Sequence, residues 1–376
     1  MFYADRTFFI SRWYRSVDLN LLCISVFLVL LSNIFVWIAS PIVATRIGVN
    51  YDTFIVKNLI FSILSVFIMF FISFLDKATI KRCSVAVFCL LFFLLIMVLI
   101  FGTKNKGAKR WLYIFGFSLQ PSEIIKPFFI IVTSRILLET RKKINIILSS
   151  SLFLIISILL AQQPDIGLLS LLFFTFATQI FLTNIDFKYF IIIASIFLVS
   201  LGLIYLTLPH FQERVSRYVN SLFFDGKKGY QVSKSLEAYK EGGYIGDVED
   251  RGAKSYIPDS HTDFIFPIIA REFGIFVCIL ITLLYLYIGL GTIIRAKNIK
   301  DDFRYLSSVT LVVEILLQAF INIGVTLNIL PTKGTTLPLI SYGGSSMIGV
   351  SIAIGFLLAL TKKDYGEIND EDIFII

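Results

Sequence analysis

The chain has 376 residues, of which 57% are hydrophobic and only 16% charged, where a soluble domain carries about a quarter charged residues. Runs of roughly 20 apolar residues, the length that crosses a bilayer as helix, recur along it. They exclude a soluble enzyme, a nucleic-acid-binding domain and a disordered chain, and they make the placement of the +8 net charge more informative than its size.

In chain order, Arg6, Arg12 and Arg15 precede the first apolar run without a cleavable signal pattern, so that run reads as a retained anchor. The apolar segments predict ten spans: 19–39, 54–75, 84–101, 122–138, 145–161, 166–183, 189–208, 264–290, 305–330 and 346–361. Each must be helical, because lipid cannot satisfy open backbone groups. With the N-terminus inside, the inner segments hold sixteen Lys and Arg and the short outer loops six. The long 209–262 loop holds eight more, which weigh little in the rule. The expected fold is an all-α polytopic membrane protein with ten transmembrane helices and both termini cytoplasmic. It is one membrane domain over 1–376, with a cytoplasmic start at 1–18, a large outer loop at 209–262 between helices seven and eight, and a tail at 362–376. Cys23, Cys83, Cys89 and Cys278 show no CxxC spacing, and His210 and His261 are too few for a cage, so neither a disulfide frame nor a metal ligand set is expected.

Most of the glycine, proline and clustered polar residues fall in the outer loops, so chemistry belongs there. The loop 102–121 carries Gly107-Ala108-Lys109-Arg110-Trp111 and then Gln120-Pro121-Ser122-Glu123-Ile124-Ile125-Lys126. Four basic residues on the outer side oppose the topology rule and suit a phosphate-bearing lipid. Equally, Trp111 and Tyr113 fit an interface belt, and Glu123 and Lys126 an i,i+3 pair at a helix start. Gln162-Gln163-Pro164-Asp165 marks a tight outer turn, with Asp165 as carboxylate or cap. Within 230–241, Val232, Leu236 and Tyr239 recur at helical spacing, as in a helix lying in the interface or a plain solvated one.

Pro258-Asp259-Ser260-His261-Thr262-Asp263 meets the eighth span, and Asp263 is its last polar residue. A partly desolvated carboxylate there suits a general base, or else an N-cap shared with Thr262. Glu314, Gln318 and Asn322 fall at i, i+4 and i+8 and should face the bundle interior as a hydrogen-bond ladder. Leu330-Pro331-Thr332-Lys333-Gly334, followed by Leu337-Pro338-Leu339-Ile340-Ser341-Tyr342-Gly343-Gly344-Ser345-Ser346, reads as a re-entrant loop. Such a loop is tolerated where protein covers it.

Taken in order, GAKRW, LQPSEIIKP, QQPDIG, GYQVSKSLEAYKEGGYIG, PDSHTDFIFPIIAREFG and NIGVTLNILPTKGTTLPLISYGGSS resemble the SEDS family (shape, elongation, division and sporulation), which includes FtsW and RodA. The closing stretch looks more like the FtsW division branch. Three departures stand out: Ile257-Pro258-Asp259 where the family has LPE, Arg271-Glu272 where it has two glutamates, and Asp247-Val248-Glu249-Asp250 where it is glycine-rich.

The resemblance implies a peptidoglycan glycosyltransferase of the cytoplasmic (inner) membrane. Its substrate would be lipid II, the undecaprenyl-diphosphate-linked disaccharide-peptide, and its partners a class B penicillin-binding protein with divisome or elongasome components. The family's essential carboxylate falls on Asp263, its basic loop residues on Lys109 and Arg110, and its PTKG lysine on Lys333. The candidates for substrate or diphosphate binding are Lys109, Arg110, Lys333, Glu123, Lys126, His261, Ser341 and Ser345. No resident cofactor is expected; a divalent cation, magnesium or manganese, stands beside the basic residues as an alternative for the leaving group. The rival readings are a flippase of lipid-linked precursors working through the Glu314 face, and a non-catalytic scaffold for a transpeptidase.

Overall fold

The computed structural model describes residues 11–50, 52–105, 108–114, 116–139, 142–183, 186–207, 209–223, 229–246, 257–331 and 334–363. The elements run α1 (Leu19–Ile47), α2 (Asp52–Ser73), α3 (Lys77–Phe101), β1 (Thr103–Asn105), β2 (Ala108–Ile114), β3 (Phe117–Leu119), α4 (Pro121–Leu137), α5 (Lys142–Gln162) and α6 (Ile166–Leu182). They continue with α7 (Phe187–Thr207), α8 (Pro209–Phe223), α9 (Tyr230–Gly242), α10 (Ile265–Phe273), α11 (Ile275–Ala296), α12 (Asp302–Thr326) and α13 (Gly344–Leu360). Among the described residues, 6 helices are long and apolar enough to cross a membrane, within α1, α2, α3, α5, α11 and α12; α6, α13 and part of α7 are shorter apolar helices. The chain is a polytopic α-helical membrane protein.

The helices are built inside out relative to soluble ones. On α2 the inward residues are Asn58, Ser62, Ser65, Met69 and Ser73, while Phe67 and Phe71 point outward, 61% and 58% exposed. Lipid is as apolar as leucine, so burying such residues against it gains as much as burying them against protein. Small and polar side chains therefore take the helix–helix seams. Asn58 Nδ2 donates across the α1–α2 seam to Ser32 Oγ at 3.2 Å and to Asn33 Oδ1 at 3.0 Å. The centre is α4 with α13, buried along nearly their whole lengths. Gly349 of α13 lies against the Glu123 backbone of α4, where a Cβ has no room.

A helix lies over each expected apolar segment, and the differences have local causes. The first segment runs on through Pro41 to Ile47 and stops at Gly48, which takes the left-handed conformation (φ 73) and donates to the Ala44 carbonyl. The segment expected as one rod over 264–290 is two helices, broken at Gly274 with φ 81. There the freed amides of Ile275 and Phe276 donate to the carbonyls of Gly243 and Tyr244, at 3.0 and 3.5 Å, so the turn after α9 replaces the lost helical bonds. The basic stretch expected as a loop over 102–121 contains a three-stranded antiparallel sheet, with Lys104 opposite Lys109 and Tyr113 opposite Ser118.

The amphipathic 230–241 segment, expected to lie in the interface or in solvent, packs on protein instead. Ser235 Oγ of α9 donates to the Thr326 carbonyl at 2.7 Å, Tyr239 Oη meets Thr326 Oγ1 at 2.9 Å, and Val232 and Ala238 are buried. Its buried edge is made of small residues because it approaches α10 closely: Gly242 sits on the Ala270–Arg271 backbone. The loop expected to be re-entrant is covered by protein over its described part: Thr335, Leu337, Leu339, Ile340 and Ser341 are buried.

Candidate active site

Asp263 ends a tight turn, 257–264, at the mouth of α10. It does not cap that helix. The N-cap position is Phe264, with no side-chain cap bond, and Thr262 Oγ1 turns back to the Asp259 carbonyl at 3.2 Å. Asp259 adopts φ 56, a left-handed conformation that aspartate tolerates, and the amides of Thr262 and Phe264 both donate to its carbonyl at 3.1 Å.

Three elements clamp this turn. Asn322 Nδ2 on α12 donates to the Asp263 carbonyl at 2.9 Å and to the Thr335 carbonyl at 2.5 Å. From the re-entrant loop, Ser341 Oγ donates to the Thr262 carbonyl at 2.5 Å and the Tyr342 amide to the His261 carbonyl at 2.9 Å. From α9, Gln231 Nε2 donates to Asp259 Oδ2 at 3.3 Å. The half-buried Asp263 carboxylate lies over Gly334, where a Cβ would stand 3.0 Å from Oδ2. His261 is buried, its ring 4.9 Å from Phe54 and 5.3 Å from Tyr342.

Behind the turn the predicted α12 ladder faces the interior, and it receives a cation. The ammonium of Lys126 on α4, 2% exposed, contacts Glu123 Oε2 at 3.0 Å, Glu314 Oε1 at 2.9 Å and Gln318 Oε1 at 2.5 Å. Gln318 accepts its hydrogen bond and the two carboxylates pair with it as ions. By accepting through Oε1, Gln318 turns its Nε2 toward the Thr336 carbonyl (3.1 Å) and Ser346 Oγ (3.2 Å). Ser345 Oγ accepts from the Gln120 amide at 2.8 Å, tying α13 to the start of α4. Glu123, Lys126 and Ser345 therefore sit within the scaffold beneath the loop.

The basic residues of the sheet face elsewhere. Arg110 Nε donates to the Gln163 carbonyl at 3.0 Å, its Nη2 to the Pro164 carbonyl, and Nη1 stands 3.6 Å from Asp165 Oδ2. Lys109 Nζ reaches the Leu99 carbonyl at 3.4 Å. Asp165 is buried and caps α6 through the Leu168 amide at 3.4 Å. Burial pushes its carboxyl above the usual aspartate range, while Arg110 pulls it back. Lys333 lies outside the described residues, as do the acidic tail and the stretch 247–250.

Between the sheet, α2 and the re-entrant loop is an open cleft lined by Lys57, Phe61, Trp111, Phe117, Thr262 and Tyr342, with Gly343 and Gly344 at its base. It borders Thr262, next in sequence to Asp263. Lys57 is hidden in the sequence by the apolar run 54–75; an ionisable residue near one end of a span is the signal that marks it. A half-buried carboxylate on a turn held by three elements suits proton abstraction from a hydroxyl. Among the described residues, no group of three or more His, Cys, Asp or Glu converges as a metal cage.

Residues 19–366 match the family model FtsW/RodA/SpoVE, described as cell cycle protein. The probable peptidoglycan glycosyltransferase FtsW of Caulobacter vibrioides is 32% identical over 368 residues, covering 96% of this chain and 93% of that protein. Stage V sporulation protein E of Bacillus subtilis is 31% identical, over 92% and 97% of the two chains. In fold, the chain is similar to one from a peptidoglycan synthase complex, with a TM-score of 0.76 at 22% identity, covering 92% of this chain and 97% of that one. Rod shape determining protein RodA of Thermus thermophilus matches with a TM-score of 0.67 at 21% identity, over 92% and 96%.

Proposed function

The chain belongs to the FtsW/RodA/SpoVE family, and on that footing we propose that it is a peptidoglycan glycosyltransferase of the FtsW type, polymerising lipid II for cell-wall synthesis at division. The observation that carries the chemistry is the half-buried Asp263 carboxylate over Gly334, on a turn held by Asn322 and Ser341, whose neighbour Thr262 lines a cleft with Trp111 and Tyr342.

Asp263 takes the proton of an acceptor GlcNAc 4-hydroxyl as that oxygen attacks C1 of a donor MurNAc. The C1–oxygen bond to undecaprenyl diphosphate breaks with its electron pair leaving on the diphosphate. One displacement on an α-linked donor inverts the anomeric centre and gives a β-1,4 glycan. Diphosphate departs without a general acid, so one base suffices, and the transition state needs positive charge near the leaving group. His261 and Ser341 act here as holders of the turn. Glu123, Lys126 and Ser345 hold the scaffold, and Lys109 and Arg110 the sheet. A magnesium or manganese ion would come with the diphosphate of the substrate.

The remaining assignments follow the same reading: ten spans with both termini cytoplasmic, the 209–262 loop and the cleft on the outer face of the cytoplasmic membrane, and a class B penicillin-binding protein as partner. The likeness to a chain of a peptidoglycan synthase complex supports that partnership. The test is to supply labelled lipid II to the purified protein together with that partner. Polymer digestible by a muramidase is expected; lipid crossing the bilayer of vesicles without polymer would favour the flippase.

A further inference from the structure

We propose that Lys57 of α2 is the counter-charge for the diphosphate of the lipid-linked sugar in the cleft that Thr262, next in sequence to Asp263, helps to line, an assignment that rests on the glycosyltransferase reading. Three of the basic residues first suited to this task are engaged elsewhere, and the fourth, Lys333, lies outside the described residues. Arg110 is spent on Asp165 and the Gln163 and Pro164 carbonyls, and Lys109 reaches back to α3. Lys126 is paired with Glu123 and Glu314, donates to Gln318 and is 2% exposed.

Lys57 is different in each respect. It lies more than a turn inside α2, is half-buried and lines the cleft. Among the described residues, no hydrogen bond or ion pair engages its ammonium. A lysine held at the edge of hydrocarbon without a partner is unfavourable unless a ligand supplies the anion.

The cleft's other walls fit the rest of such a ligand. Phe61 and Phe117 meet edge to face at 5.8 Å and close the apolar side. Gly344 leaves the space that the Phe61 ring occupies, since a Cβ there would overlap it. Trp111 and Tyr342 offer aromatic surface to a sugar ring, and Thr262 connects the cleft to the base. A phosphate on Lys57 would thus lie in the same cleft as Thr262, one residue before the base, as a displacement at C1 requires.

The experiment measures binding of undecaprenyl diphosphate to the full-length protein in lipid nanodiscs, with polymer yield from lipid II measured in parallel in the presence of the partner. Lys57→Gln is expected to weaken binding by about tenfold or more, the loss of one charge-assisted contact, and to lower polymer yield with it. Lys57→Arg should recover most of both. Asp263→Asn should bind like wild type and make no polymer. Unchanged binding in a folded Lys57→Gln protein overturns the assignment. Equal affinity for inorganic diphosphate and the lipid form overturns its lipid-linked part. If wild type binds through Lys57 yet makes no polymer with the partner, the site stands and the glycosyltransferase reading falls.

Discussion

The side-chain amide of Asn322 bridges the backbone carbonyls of Asp263 and Thr335, at 2.9 and 2.5 Å. One residue of α12 thereby fixes the distance between the candidate base and the re-entrant loop. Asn322→Leu removes both donors and leaves two carbonyls without them. The carboxylate is then free to shift, and a misplacement of about 1 Å costs about a hundredfold in rate. Glycan synthesis from lipid II by Asn322→Leu should fall by that order while the protein still purifies as a folded species.

Lys126 should matter for stability first. Replacing it with Met leaves Glu123 and Glu314 facing each other in the bundle without their cation. Removing one partner of such a buried group costs about 3–5 kcal/mol. A large fall in the thermal midpoint in detergent is expected for Lys126→Met. The double variant Lys126→Met with Glu314→Gln, which removes one of the stranded charges, should recover part of it.

Gly274 tests the broken span. Its φ of 81 and ψ of 173 lie in a region open essentially to glycine, and a Cβ would overlap the Tyr244 carbonyl. Gly274→Ala should destabilise by at least about 1–3 kcal/mol. It should also loosen the 243–244 turn, read out as faster proteolysis between α9 and α10.

On the opposite end of the bundle, burial and the nearby Arg304 push the Lys362 ammonium down to about 8 from its usual 10.5. A lowered lysine pKa means the folded state disfavours the charged form. The penalty is fully present below about pH 8 and is relieved as pH rises toward 10.5, where the unfolded lysine also loses its proton. Lys362→Met should therefore be more stable than wild type at pH 7, with the gap narrowing through that window in thermal melts.

How much of this was legible in the sequence differs from residue to residue. The i, i+4, i+8 spacing of Glu314, Gln318 and Asn322 correctly faced them inward, because helical period alone decides that. The Glu123–Lys126 pair was also legible, being local. Their long-range partners were not: Glu314 meets Lys126, and Thr335 meets Asn322, only after the helices pack. The break at Gly274 was hidden because apolar residues continue on both sides of it, and only the docked turn from Gly243 makes it stable. The basic character of the 102–121 stretch leaves an external anion and an internal partner equally open in the sequence; for Arg110 the packing supplies Asp165, 55 residues away. Lys57 was masked by the apolar run around it.

The most direct measurement compares wild type with Asp263→Asn in glycan-strand synthesis from labelled lipid II, each with the class B penicillin-binding protein and each verified as folded. Aspartate to asparagine keeps shape and the Asn322 contact, which is made to the backbone, and removes only the base. Polymer from wild type and none from the variant is the predicted result. Equal polymer from both would contradict the assignment of Asp263 as the group that accepts the proton.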